Sequence, residues 1–89
     1  MKIKEDFLLR QVADSWVILP IGQSAVNFDG MLTLNDSAVM LWKQLQQGTD
    51  TASLVRSLTD EFEVDEAQAR QDVEEFLAIL RQVGCLQEK

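Results

Sequence analysis

The sequence predicts a small α+β domain, with strands first and helices after. Three observations carry this. Short apolar runs bounded by turn residues fill the first third of the chain. Beyond residue 35 the apolar residues recur every three or four positions, the period of a helix with one buried face. Each of the three helical stretches follows an Asn or Asp, and two of them end at a glycine, which are helix start and stop signals. Eighty-nine residues make one domain, 1–89, with a small core.

Phe7 to Val12 predict a strand over 7–12, followed by a tight turn at Ala13-Asp14-Ser15. Trp16-Val17-Ile18-Leu19 is a continuous β-rich run ended by Pro20 and Gly22. It predicts a central strand over 16–20, with the proline where no ladder N–H is needed. The two runs form a hairpin. Ala25-Val26-Asn27-Phe28, the turn dipeptide Asp29-Gly30 and an apolar strand over 31–34 suggest a second, wing-like hairpin.

The first helix is expected over 36–47. Asn35, Asp36 and Ser37 offer caps, and Ala38, Leu41, Trp42 and Leu45 form its apolar stripe. Gly48 is the expected left-handed stop. Asp50 caps a second helix over 51–62 with Leu54, Val55, Leu58 and Phe62 inward. Asp65, with Gln68 three residues on, reads as a capping box for a third helix over 66–83. Its core face is Ala69, Val73, Phe76, Leu77, Leu80 and Val83, and Gly84 stops it. Cys85-Leu86 should tuck back against the core, and 87–89 should fray. Small antiparallel strands followed by three helices suggest a winged-helix-like arrangement.

Composition excludes several functions. Fifteen acidic and eight basic side chains give a net charge of −7, a poor match for duplex DNA. With no histidine, one cysteine and no Gly-rich phosphate loop, no catalytic residue, metal site or cofactor is expected, and the chain does not read as an enzyme. Cys85 follows a helix C-terminus, where the dipole disfavours a thiolate, so it reads as an inert small hydrophobe. The cluster Asp60-Glu61-Glu63-Asp65-Glu66 lacks the ligand spacing of a calcium loop and reads as a helix end and a cap. Asp72, Glu74 and Glu75 read as the wet face of the third helix, available to a basic partner. Trp16 and Trp42 both fall at core positions. There is no apolar run long enough to span a membrane and no secretory signal. The cytoplasm is the expected compartment.

The last strand is an open edge. The segment 31–34 carries no proline, lysine or bulge to guard it. On the third helix Ile79 widens the apolar face, so Phe76, Ile79 and Val83 form a line of their own. An unguarded edge beside spare apolar helix surface meets the physical requirement for binding an extended peptide by strand addition.

The run Gly30-Met31-Leu32-Thr33-Leu34-Asn35-Asp36-Ser37-Ala38-Val39-Met40-Leu41-Trp42-Lys43-Gln44-Leu45 resembles the signature of PqqD-like proteins. Glu61-Phe62-Glu63-Val64-Asp65, then Asp72-Val73-Glu74-Glu75-Phe76-Leu77, then Leu80 and Gly84-Cys85-Leu86 resemble the family's second half. The stretch from Gly22 to Asp29 is longer than the turn of many members. The resemblance implies a recognition element that binds the leader of a ribosomally made precursor peptide and presents it to a modifying enzyme, often a radical SAM enzyme. It implies peptide contacts from Met31, Leu32 and Thr33 on the strand and from Asp72, Phe76, Ile79 and Val83 on the helix. A monomer or weak dimer is expected, with no nucleic acid and no membrane partner. The competing readings are a domain that dimerises through its sheet edge, and a regulatory DNA-binding winged helix resting on Arg56, Arg70 and Arg81.

Overall fold

The structure is a computed structural model that describes residues 1–21 and 32–88. The expected strand at 25–28, the Asp29-Gly30 turn and Met31 lie outside the described residues. The element order is β1 (Lys2–Ile3), β2 (Phe7–Val12), β3 (Ser15–Pro20), β4 (Leu32–Leu34), α1 (Asp36–Gln47), α2 (Thr51–Glu61), α3 (Glu66–Val83) and β5 (Leu86–Gln87). The α+β order of small antiparallel strands followed by three helices is as the sequence predicts.

A two-residue turn, Ala13-Asp14, joins β2 to β3 and pairs Val12 with Ser15. Ser15 is therefore the first residue of its strand and no part of the turn. Ala13 sits at φ 56°, the left-handed conformation that such tight hairpin turns demand. In an antiparallel pair, hydrogen-bonded and non-hydrogen-bonded residues alternate. The bond from the Ile21 N–H to the Asp6 carbonyl, 2.7 Å, shows which parity faces β2: residues 15, 17, 19 and 21. Trp16, Ile18 and Pro20 turn the other way, toward β4. The described part of the ladder to β4 runs from Trp16–Leu34 to Ile18–Leu32. Against β2, Pro20 pairs with Phe7 at a position whose N–H points away, so that ladder needs no donor from it.

β3 is the centre of a sheet ordered β2-β3-β4. One face turns Phe7, Leu9, Trp16, Ile18, Leu32 and Leu34 toward the helices, where each is in the core or packed against it. Trp42, Leu45, Leu54, Val73, Leu77 and Leu80 fill the centre of that core. Trp42 is a core residue as expected. Trp16 is half-buried at the core margin, with the Lys43 ammonium 5.4 Å from its ring centroid.

The helices begin where the caps predict. Asn35, Asp50 and Asp65 each accept from the backbone N–H three residues on, at 2.8–2.9 Å. Four details differ from expectation. The capping box at α3 is only half formed, because the Gln68 amide donates forward to Asp72 (2.8 Å). Gly48 closes α1 at positive φ (92°), but its ψ of 126° is outside the left-handed helical region. Helix α2 stops at Glu61, so Phe62 adopts extended backbone and lies exposed rather than in the core. Residues 87 and 88 do not fray: Gln87 pairs with Lys2 in a two-stranded sheet, and Glu88 accepts from Arg81 at 2.9 Å.

That second sheet fastens the two ends of the chain. Ile3 lies opposite Leu86, and the Lys4 N–H donates to the Cys85 carbonyl at 2.9 Å. The Met1 ammonium donates to the Thr49 carbonyl, and the Thr49 N–H donates back to Met1, both at 2.9 Å. Gly84, left-handed at φ 90°, turns the chain so that Cys85 and Leu86 fold into the core.

Leu77→Ala should cost about 3 kcal/mol in urea denaturation, the usual result for a well-packed leucine. Burial pushes the Cys85 thiol up to about 11 from its ordinary 9.0. The folded state thus keeps the thiol protonated where the unfolded chain ionises it. The contribution to stability is complete below pH 9.0 and is lost as pH rises toward about 11. Iodoacetamide at pH 8 should label the native protein far more slowly than the urea-unfolded chain.

Candidate functional site

β4 has one neighbour, β3, and its far side is open among the described residues. Leu32 and Leu34 pair with Ile18 and Trp16, the residues whose backbone faces β4, so their N–H and C=O groups are spent on that ladder. Thr33, between them, turns its N–H and C=O to the open side. Among the described residues of β4, the free edge therefore offers one donor and one acceptor, both from Thr33. On the side-chain level the alternation is reversed: Leu34 is buried, Leu32 half-buried and Thr33 exposed.

Beside this edge runs a groove of about 320 Å³. β4 forms one wall. Asn35, Ser37, Ala38 and Leu41 of the cap and α1, with Leu58 of α2, line its end and floor. The other wall is one stripe of α3: Asp72, Glu75, Phe76 and Ile79, spaced i, i+3, i+4 and i+7, which a helix aligns on one face. Leu34, Leu41, Leu58 and Phe76 are buried floor residues, whereas Ile79 is 43% exposed. The surplus apolar side chain seen in the sequence thus stands next to the open strand edge.

The polar atoms of the groove differ in how far they are committed. The Asn35 side-chain oxygen already accepts from the Ala38 N–H (2.9 Å) and the Ser37 hydroxyl (3.0 Å). Asp72 accepts from Gln68, and Glu75 accepts from Gln71 at 3.5 Å. The ion pairs among the described residues are Arg70–Glu66 and Arg81–Glu88, so neither groove carboxylate faces a cation. No lysine or arginine lines the groove.

Of the residues expected from the sequence, Leu32, Thr33, Asp72, Phe76 and Ile79 all line this groove. Met31 lies outside the described residues. Val83 packs half-buried against the core, one turn beyond the groove. Glu75, Ala38, Leu41 and Leu58 were not anticipated as groove residues. Glu75 could have been found, because it lies three residues after Asp72 and four before Ile79. Leu58 could not, since its place depends on how α2 crosses α3.

The DNA-binding reading finds less support. Arg70 and Arg81 are paired with carboxylates, and Arg56 and Arg70 share a recess with Glu66, which leaves no continuous basic face on the described helices. No cluster of three or more His, Cys, Asp or Glu able to hold a metal occurs among the described residues. No described helix is long and apolar enough to cross a membrane. The arrangement can hydrogen-bond an extended backbone at Thr33 and take alternate side chains into the groove.

An α+β fold whose described sheet edge lies open beside a helical groove has the backbone groups that could accept a further strand. The family model of coenzyme PQQ synthesis protein D (PqqD) matches residues 15–86, and the chain belongs to that family. Two solved structures share the fold. One is TbiB1 in complex with the TbiA(beta) leader peptide, with a TM-score of 0.80 and 22% identity over 100% of this chain and 98% of that one. The other is a lasso peptide synthetase B1 complexed with the leader peptide, with a TM-score of 0.75 and 25% identity over 94% and 93% of the two chains. No curated protein sequence matches the chain.

Ile79→Ala and Asp72→Asn should each change stability by no more than about 0.5 kcal/mol, as surface substitutions do. Thermal and urea melts would check this, and would show that the groove wall can be altered without disturbing the core beneath it.

Proposed function

We propose that this domain binds the leader segment of a ribosomally synthesised precursor peptide, as a strand added to the edge of β4, and presents it to the enzyme that modifies that peptide. The observation that carries this is the Thr33 backbone turned to the open edge directly beside the α3 groove. Membership of the PqqD family and the leader peptides named with both solved neighbours support it. The domain itself carries out no chemistry. It contributes by holding the peptide, which raises the effective concentration of the segment to be modified at the enzyme. Leu32, Thr33, Asp72, Phe76 and Ile79 form the contact surface, with Met31 as the strand's preceding residue.

The family resemblance favours a radical SAM enzyme as the partner. The lasso peptide synthetase B1 neighbour favours a second reading, in which the partner belongs to a lasso peptide synthetase. Reconstitution with each enzyme type and the same precursor separates the two, since only the true partner's turnover depends on this domain.

The strand-addition geometry has its own test. Thr33→Pro removes the outward N–H and leaves both ladder residues intact, whereas Leu32→Pro would remove a bond to β3. Titration with the leader of the precursor encoded nearest to this chain should saturate the wild type and shift the Thr33 amide most strongly. The folded Thr33→Pro variant should bind at least tenfold more weakly, the loss of about one hydrogen bond and its register. Unchanged binding by that variant would rule out pairing at β4.

A further inference from the structure

Resting on the peptide-binding reading above, we infer that the groove selects a peptide with a lysine or arginine at one groove-facing position and an apolar residue at the next, two positions away. The backbone register sets the spacing. The peptide residue that bonds to Thr33 points its side chain with that of Thr33, away from the groove. Its two neighbours point with Leu32 and Leu34, into the groove. Those two side chains stand about 7 Å apart along an extended strand. The wall they meet runs from Asp72 to Ile79, about 10 Å of helix, long enough to take both.

That wall is divided in chemistry. Asp72 and Glu75 lie on adjacent turns at one end, and Ile79 lies at the other, with Phe76 between them. Among the described residues both carboxylates are hydrogen-bonded only to glutamine amides, and no basic side chain lines the groove. A strand laid over them removes water from two anions. That step is unfavourable unless the incoming chain supplies a cation. An acidic side chain at the same place would add repulsion within a protein already at −7. At the other end, the exposed Ile79 and the buried Phe76 take an apolar side chain.

The test is selection from a displayed library of random dodecapeptides on the immobilised full chain and, in parallel, on the Asp72→Asn/Glu75→Gln double variant. The asparagine retains an amide oxygen for Gln68, and circular dichroism would show that the variant is folded. Wild-type selection should converge on peptides with a basic and an apolar residue two apart. A synthetic consensus peptide should bind the double variant about tenfold more weakly. On the wild type its affinity should fall with added salt, a readout that does not depend on the variant. Enriched peptides that lack the basic residue, or a consensus that binds both proteins equally and without salt dependence, would overturn the inference and leave peptide binding standing. No enrichment on either protein would overturn the peptide-binding reading itself.

Discussion

The register between β3 and β4 is the constraint on which the rest depends. A two-residue turn at Ala13-Asp14 sets the parity of β3 against β2, and that parity passes to β4 through the Ile18–Leu32 and Trp16–Leu34 pairs. One residue of slip would turn Leu32 and Leu34 to solvent and Thr33 to the core. It would also turn the Thr33 N–H and C=O into the sheet. Burial of Leu34 against the helices therefore holds the outward hydrogen-bonding groups in place. The core and the binding edge are two faces of one register.

The same economy appears on α3. Ala69, Val73, Leu77 and Leu80 face inward and anchor the helix, while Asp72, Glu75 and Ile79 stand on the adjoining face. Phe76 belongs to both, buried in the core and forming the groove floor. The helix can therefore vary its outer stripe, and with it the peptide preferred, at little expense to stability. In the second sheet the chain ends are tied by the β1–β5 pairing, with the hydrogen bonds between Met1 and Thr49 beside it. The edge left open among the described residues of β4 is the one beside the groove.

Much of this was legible in the residues. Caps at Asn35, Asp50 and Asp65 are local, because each side chain reaches an N–H only three residues away, so the helix starts could be read directly. The strands β2 and β3 were legible from short-range pattern for the same reason. The two-residue strands β1 and β5 were not, since neither has a pattern of its own and each exists only because the chain ends meet. Phe62 was misplaced because helical period was extended one residue too far, past the point where the chain turns extended. Gln68 was expected to reach back and accept from the Asp65 N–H, but its side chain runs forward, where its Nε2 donates to Asp72 one turn along.

For the candidate site, the division is the same. Sequence alone determined that an unguarded apolar segment would precede a capped helix, that Ile79 was more than a single core stripe requires, and that the protein would be strongly acidic. These follow from residue type and spacing within one element. Only the tertiary structure decided that Ile79 and Asp72 stand beside the open edge, that Glu75 joins them and Val83 does not, and that Thr33 is the described residue of β4 whose backbone faces out. Those facts depend on hydrogen-bond parity across strands and on how helices cross, and both are relations between elements far apart in the chain.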